Sequence, residues 1–580
     1  SEVLGLVGQP QVVYTRQGNS LTLQPVGASA SDKSLIHYYQ GYFGDTWRVK
    51  PDVTLSYSIG YALELPPVEE TGKQVMLVDT GGVPVSVTDY LGKRKSAALQ
   101  GQVYNPSLGF ALVGNTANDG RKYPYDPFYK QWSPRVSVAW NPHYSDGVAG
   151  KLLGNGGTVI RGGYSLIWGR INGVNQVLTP LLGVGLLQAV VCQGPTRTGN
   201  CAGSGGVDPS TVFRIGTDGM TAPLPSASQT LAQPFFPGVG GAAVAGDTSV
   251  LDPGYRPQRT DNITLGIQRQ LTSKTILEVG MMSRLIHNET MQTNLDAVPY
   301  MTTLNNQSFA QAYSALFQAM VFNGAAPGTV ATQPFFEAAL GGPSSASCKA
   351  YSSCTAYVAS AFTSLIKNAQ VSDLWGSLNK ASSWGLGRTM ISGSPAQASS
   401  ITMVNSLGYG NYNALYVTWR ARDFHNATII SNFTWGRSLG TATLAQYNSS
   451  YTMQDPWNID ANYGANSFDY KFLYNLAISY ATPWFKGQKG ILGRTLGGWM
   501  IAPLFYAQSG APIGVSYTTG SGSYYQSFGQ SSTTSITSNA EGAVPITPYT
   551  GGATLHGAVA GSGGVGTNNT TGFNLFADPA

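Results

Sequence analysis

Few residues in this chain are placed to do chemistry. Five histidines, His37, His143, His287, His425 and His556, are scattered along the sequence. None belongs to an HExxH pair, in which two imidazoles meet a metal on one helix face, or to a Cys/His zinc spacing. Structural or surface roles are expected for all five. A nucleophilic serine would call for a G-x-S-x-G elbow between strand and helix. The nearest approach, GSGSYYQS at Gly520 to Ser527, begins a Ser/Thr/Gly/Tyr tract reaching Ser538 and has no triad partners in pattern. That tract reads as an extended loop or strand edge. Gly238 to Gly241 is glycine-rich but lacks the Lys-Ser/Thr of a phosphate loop. No catalytic, cofactor-binding or metal-ligating residue is assigned, no cofactor is expected, and the chain is expected not to be an enzyme.

The four cysteines are more informative. They fall as two close pairs, Cys192 with Cys201 and Cys348 with Cys354, both in Gly/Ser/Pro-rich sequence. The spacing predicts two local disulfides formed in an oxidising compartment. Zinc is disfavoured, because no histidine lies near either pair.

Composition bears on what positions these residues. A chain of 580 residues suggests three or four soluble domains, yet no boundary between such domains is legible. Charged residues make up 11%, well below the usual ~25%, alongside 72 Gly, 32 Tyr and 11 Trp. No apolar run approaches the ~18 residues of a membrane helix. Mean hydropathy is nonetheless only -0.07, as expected when lipid-facing and lumen-facing residues alternate and average out. The net charge of +5 is not gathered into basic runs, so nucleic-acid binding is not expected. The chain begins at Ser1 without a basic or apolar leader, which reads as a mature or truncated protein.

Strand signals are clear. From Val53 to Leu65, Val53, Leu55, Tyr57, Ile59, Tyr61, Leu63 and Leu65 alternate with Thr, Ser, Gly, Ala and Glu, which predicts one apolar and one small or polar face. The apolar set is expected to face lipid. His37 to Val49 precedes it across the turn residues Lys50, Pro51 and Asp52. Further pairs are Arg135 to Trp140 with Thr158 to Trp168, Asn262 to Leu271 with Ile276 to Ile286, and Ala414 to Arg422 with Ala427 to Leu439. The last is Lys471 to Thr482 with Gly498 to Gln508, across a glycine-rich turn at Gly487 to Gly493. These are ten strand candidates. Between hairpins lie Pro66 to Lys130, Gly169 to Arg259, His287 to Tyr412 and Gly440 to Ser467, all far longer than ordinary loops. Within them Gln307 to Phe322 and Tyr357 to Ile366 have helical spacing of Ala, Leu and Phe.

Short and long connections therefore alternate, as in bacterial outer-membrane barrels with short periplasmic turns and long extracellular loops. An antiparallel all-β transmembrane barrel is the expected fold. Trp47, Tyr61, Trp140, Trp168, Trp419, Trp435 and Trp499 fall near strand ends, suited to interfacial girdles. Arg48, Arg161, Arg420 and Glu278 fall on the small or polar face, where a lumen tolerates charge. The loop aromatics Phe235, Phe236, Phe335 and Phe336 are suited either to stacking on a ligand or to pinning the loops together.

Seven segments, in order, resemble the C-terminal barrel of Oar-like TonB-dependent receptors of the outer membrane. They are YFGDTWRVKPDVTLSYSIGY (Tyr42 to Tyr61), SPRVSVAWNP (Ser133 to Pro142), GGTVIRGGYSLIWGR (Gly156 to Arg170) and NITLGIQRQLTSKTILEVGMM (Asn262 to Met282). The others are YNALYVTWRARD (Tyr412 to Asp423), SNFTWGRSLGT (Ser431 to Thr441) and LGGWMIAPLFYAQSGAPIGV (Leu496 to Val515). FNLF at Phe573 to Phe576 resembles a late stretch of that family. The resemblance implies a barrel portion over residues 34–580, preceded by an N-terminal segment of uncertain structure over residues 1–33. It also implies a plug domain and barrel strands upstream, about 22 strands in all, and strands after FNLF, so the chain is expected to be a fragment. The implied function is uptake of a large solute across the outer membrane. The implied partners are the membrane lipid, a TonB-type energy-coupling protein and an unknown large solute. The alternative is a structural or assembly barrel whose long loops make protein contacts.

Overall fold

The computed structural model describes residues 4–512 apart from 116, 118–119, 172–185, 203–207, 223, 225–226, 228, 230, 237–249, 296, 368–370, 388–400 and 442–454. It also describes 556–557 and 573–574. Gly520 to Ser538 and Gly238 to Gly241 lie outside the described residues.

Alternation of side chains produces a single antiparallel meander. Its strands are β1 (Tyr38–Lys50), β2 (Val53–Glu64), β3 (Trp132–Trp140), β4 (Thr158–Trp168), β5 (Arg259–Thr272), β6 (Thr275–Asn294), β7 (Thr402–Phe424), β8 (Ala427–Gly440), β9 (Phe472–Ala481), β10 (Met500–Ile501) and β11 (Leu504–Gln508). Each of β1 to β9 pairs with its neighbour in sequence, and β10 and β11 both pair with β9. The expected strand Gly498 to Gln508 is thus split at Ala502 and Pro503, where proline has no N–H for the ladder. Among the described residues the sheet does not close on itself, and β1 and β11 form its edges.

The short connections all fall on one rim. The β7–β8 turn consists of His425 and Asn426, at φ 53° and 63°, the positive values a two-residue hairpin turn requires. Two further short connections contain helices in place of plain turns, Gly147–Leu153 between β3 and β4 and Gly490–Leu496 after β9.

The long connections gather on the opposite rim as one packed layer. Leu21, Leu77, Tyr90, Phe110, Leu186 and Ile401 share one buried core, so the N-terminal segment and the long connections after β2, β4 and β6 meet there. Residues 4–37 belong to this layer: Gln11–Gln17 pairs with Leu187–Val191, and the chain enters β1 at Tyr38, opposite Glu64 on the long-loop rim. β6 and β7 run beyond the sequence expectation and continue into the layer, where Met291 to Asn294 and Thr402 to Asn405 are buried.

The connection between β6 and β7 carries a second core, a helical unit. Its first helix, Phe309–Phe317, starts in a capping box in which Ser308 and Gln311 satisfy each other's backbone N–H groups. Phe309, Phe335, Phe336 and Trp375 are buried together, with the Phe309 and Trp375 rings edge to face at 4.9 Å.

Candidate functional site: the inner wall and the cap above it

Strand register decides which side chains share a face, because a one-residue slip would exchange the faces of a whole strand. One rung runs Leu55, Val138, Gly162, Leu265, Met281, Leu415, Trp435 and Phe472 across eight strands. The adjacent rung on the opposite face runs Ser56, Ser137, Gly163, Thr264, Met282, Ala414 and Gly436. The first is a continuous apolar belt suited to lipid, and the second is an inner wall of small and polar side chains with Met282 as the exception.

Polar groups bound the belt. On β5 the outward apolar residues Ile263, Leu265 and Ile267 lie between Asp261 and Arg269. Eight residues at about 3.4 Å rise and a tilt near 40° give a band of about 21 Å, close to the ~25 Å of outer-membrane barrels. On the long-loop side Asp261 accepts from the Tyr164 hydroxyl at 2.6 Å and from Arg259 at 3.0 Å, and Arg437 pairs with Asp469 at 3.0 Å. On the short-turn side Trp140 donates to Asp52 at 3.2 Å. Lys274 pairs with Asp423 at 2.9 Å there and holds that carboxyl below its ordinary range.

Aromatic side chains mark both boundaries. Tyr61, Trp168 and Trp435 sit toward the long-loop rim, and Trp47, Trp140, Trp419 and Trp499 toward the short-turn rim. Trp132, which the sequence reading missed, packs on Tyr61 with ring centroids 4.6 Å apart.

The inner wall carries a recess of about 510 Å³ lined by Thr46, Ser56, Ser58, Arg135, Ser137 and Thr264 among others. Arg48, Arg161, Arg420 and Glu278 lie on this face, as their alternation predicted. Register adds Arg135, level with Ser58, and Arg284, level with Asn262. Tyrosines occupy the space beside glycines on the same wall. A Cβ at Gly280 would stand 2.5 Å from the Tyr416 ring, whose hydroxyl donates to Glu278 at 3.2 Å. Tyr412 covers Gly436 in the same way.

Where the wall meets the cap, the buried Glu64 carboxylate accepts from Arg170 at 2.6 Å and from the Ile171 N–H at 3.1 Å. The Arg170 guanidinium lies 4.6 Å over the Tyr38 ring. Glu289, two residues past His287 and between two register irregularities, is beyond the band. Burial pushes its carboxyl up to about 7, and its Oε2 has no hydrogen-bond partner among the described residues.

Both cysteine pairs lie in the cap as disulfides, Cys192 with Cys201 and Cys348 with Cys354, at Cα separations of 5.3 and 4.8 Å. Phe335 and Phe336 are fully buried in the helical unit, and Phe235 bridges Phe110 through backbone hydrogen bonds. Of the two roles open to these aromatics, they pin the loops together. The histidines stay apart: His37 stacks near Tyr39, His143 lies beside Gly156, His287 is 3.7 Å from Asp261, His425 forms the turn, and His556 pairs with Asn574. Among the described residues no three His, Cys, Asp or Glu side chains gather as a metal site would require.

An apolar outer belt, polar inner wall and one-sided long loops define an outer-membrane β-barrel. The chain belongs to the outer membrane beta barrel domain family, whose model matches residues 6–574, and it resides in the bacterial outer membrane. No curated protein matches it. Among solved structures it is similar to the outer membrane transporter YddB from Escherichia coli, at 8% identity over 77% of this chain and 39% of that one, with a TM-score of 0.27. It is also similar to the siderophore receptor PirA from Acinetobacter baumannii, at 7% identity over 86% and 52%, with a TM-score of 0.27. A third is the TodX monoaromatic hydrocarbon channel, at 8% identity over 82% and 70%, with a TM-score of 0.21. The chain spans about half or less of the length of the first two of these proteins.

Proposed function

We propose that the protein is an Oar-like receptor that takes up a large solute across the outer membrane by TonB-type energy coupling. The observation that supports this most is the roof: the N-terminal segment and the long connections pack into one layer with a shared core above a polar wall. A layer of this kind blocks free diffusion, so a solute is first held and then admitted by an energised opening. The coupling protein acts from the periplasm, on the side of the short turns. Iron chelates, oligosaccharides and peptides are the solute classes in view. The protein does no covalent chemistry in this reading.

A second reading has its own support. The helical unit between β6 and β7 is a folded, disulfide-bonded body with a dedicated aromatic core, suited to contacts with other proteins in a structural or assembly role.

The experiment that tests the proposal uses the bacterium and its full-length gene product. Accumulation of a labelled ferric siderophore, a malto-oligosaccharide and an oligopeptide is compared in wild-type cells and in cells lacking this protein or the TonB-type protein. Loss of the same solute in both deletions is the expected result. Unchanged uptake of all three, with altered cell-surface assembly instead, would replace transport by the structural role.

A further inference from the structure

Two connections on the short-turn rim contain helices, Gly147–Leu153 and Gly490–Leu496. Arg269 lies on the same face of β5 as the outward Ile267 and Leu265, so its side chain leaves the lipid-facing side. Its guanidinium donates to the carbonyl oxygens of Leu152 and, at 3.1 Å, of Lys151, at the end of the first helix. Trp499 lies opposite Thr482, two residues before Ile501, which pairs with the outward Tyr480. Its indole N–H donates to the carbonyl of Thr495, at the end of the second helix, at 2.7 Å. In both places a side chain rooted on the lipid-facing wall satisfies terminal carbonyls of a helix, groups that have no partner within it.

The side chains these helices present are apolar. Val148 and Leu152 on the first, and Ile491, Leu492 and Leu496 on the second, are exposed, Leu152 by 65% and Ile491 by 83%. Trp484 and Phe485, just ahead of the second helix, are exposed as well. These residues lie in the connections that follow Trp140 and precede Trp499, next to the tryptophans of the short-turn rim. Basic residues are interleaved with them: Lys151 in the first segment, and Lys486, Lys489 and Arg494 in the second. Residues 141–157 hold one carboxylate, Asp146, and residues 482–499 hold none. An apolar surface rimmed by cations and next to a lipid-facing belt is what an interfacial helix offers to a leaflet containing acidic phospholipids.

We propose that the two helices are interfacial anchors. They rest in the headgroup region of the periplasmic leaflet and bind acidic phospholipid headgroups through Lys151, Lys486, Lys489 and Arg494, side chains long enough to keep their charges in the headgroups while the apolar residues enter the lipid.

The test uses the full chain folded into phosphatidylcholine vesicles with or without phosphatidylglycerol. Because the native cysteines are paired, a polarity-sensitive label goes selectively onto Leu152→Cys or Ile491→Cys, with Ser273→Cys in the β5–β6 turn as the water-exposed reference. Lipids brominated near the headgroup end should quench the labels at 152 and 491 several-fold more than the label at 273. Phosphatidylglycerol should increase that quenching in the native background and leave it unchanged with Lys151, Lys486, Lys489 and Arg494 all replaced by Gln. If the fourfold variant does not fold, high salt on the native background should abolish the same increase. Equal, water-like quenching at all three sites would overturn the proposal. So would indifference to phosphatidylglycerol, or shielding that arises only when a periplasmic protein extract is added.

Discussion

Arginine placed at Leu265 and at Thr264, adjacent residues of β5, should have very different costs. Leu265 is outward, between Gly162 and Met281 on its rung, and 45% exposed in the lipid-free chain. It lies four residues from Asp261 and four from Arg269, about 10 Å from each edge of the band at the usual rise and tilt. That is the midplane, where an arginine on the lipid face costs roughly 2 to 4 kcal/mol. Thr264 points to the inner wall and lines the recess, so Thr264→Arg should cost less than about 1 kcal/mol. Ile263→Arg, one pair closer to the polar edge at Asp261, should fall between them. The assay is guanidinium unfolding of the chain folded in lipid vesicles, followed by tryptophan fluorescence. Equal costs at 264 and 265, or the reverse order, would show that the two faces are assigned wrongly.

Ile59→Arg and Ser58→Arg repeat the contrast on β2, where Ile59 is outward beside Pro134 and Ser58 inward beside Arg135; the same assay should find Ile59→Arg the costlier. The Glu289 carboxyl, raised by burial from the ordinary 4.5 to about 7, disfavours the folded state once ionised. Its contribution to stability is therefore greatest below pH 4.5, declines as pH rises from there to about 7, and stays low above that. Glu289→Gln should remove that slope, gaining about 3 kcal/mol at pH 8 and nothing at pH 4; parallel pH profiles would refute the burial argument. Cys348→Ala with Cys354→Ala opens a short loop and should destabilise the helical unit by roughly 2 kcal/mol. Hydrogen exchange should quicken in Phe309–Phe317 and Cys354–Ala361 while β5 and β6 stay protected. Trp375→Ala, in the core of the same unit, should cost about 3 to 5 kcal/mol, and protease cleavage confined to residues 297–387 would report it.

The membrane part of the fold was legible because its signal is local. β4 matches its expected bounds, and β2 differs by one residue, since in both a period of two is undisturbed by turns. The upper halves of β6 and β7 were missed. Once the strands leave the lipid and are buried on both faces, NETMQTN and TMVNSLGYG no longer alternate. The helix Gly490–Leu496 was read as a turn because its glycines mask a short apolar stretch. The shared core of the cap joins Leu21, Leu112, Leu186 and Ile401, residues far apart in sequence with no common period. On the inner wall the sequence marked Arg48, Arg161, Arg420 and Glu278; Arg135 and Arg284 emerged only when pairing put them level with Ser58 and Asn262. The cysteine pairs were visible because each closes over a few residues of loop.

Sidedness tests the central claim most directly. An epitope inserted at Ser345, in the helical unit between β6 and β7, and another at Ser273, in the two-residue β5–β6 turn, are probed with antibody on intact cells and again after the outer membrane is permeabilised. An outer-membrane barrel with its cap outside predicts binding at 345 in intact cells and at 273 only after permeabilisation. Binding at 273 in intact cells, or equal access at both sites throughout, would contradict it.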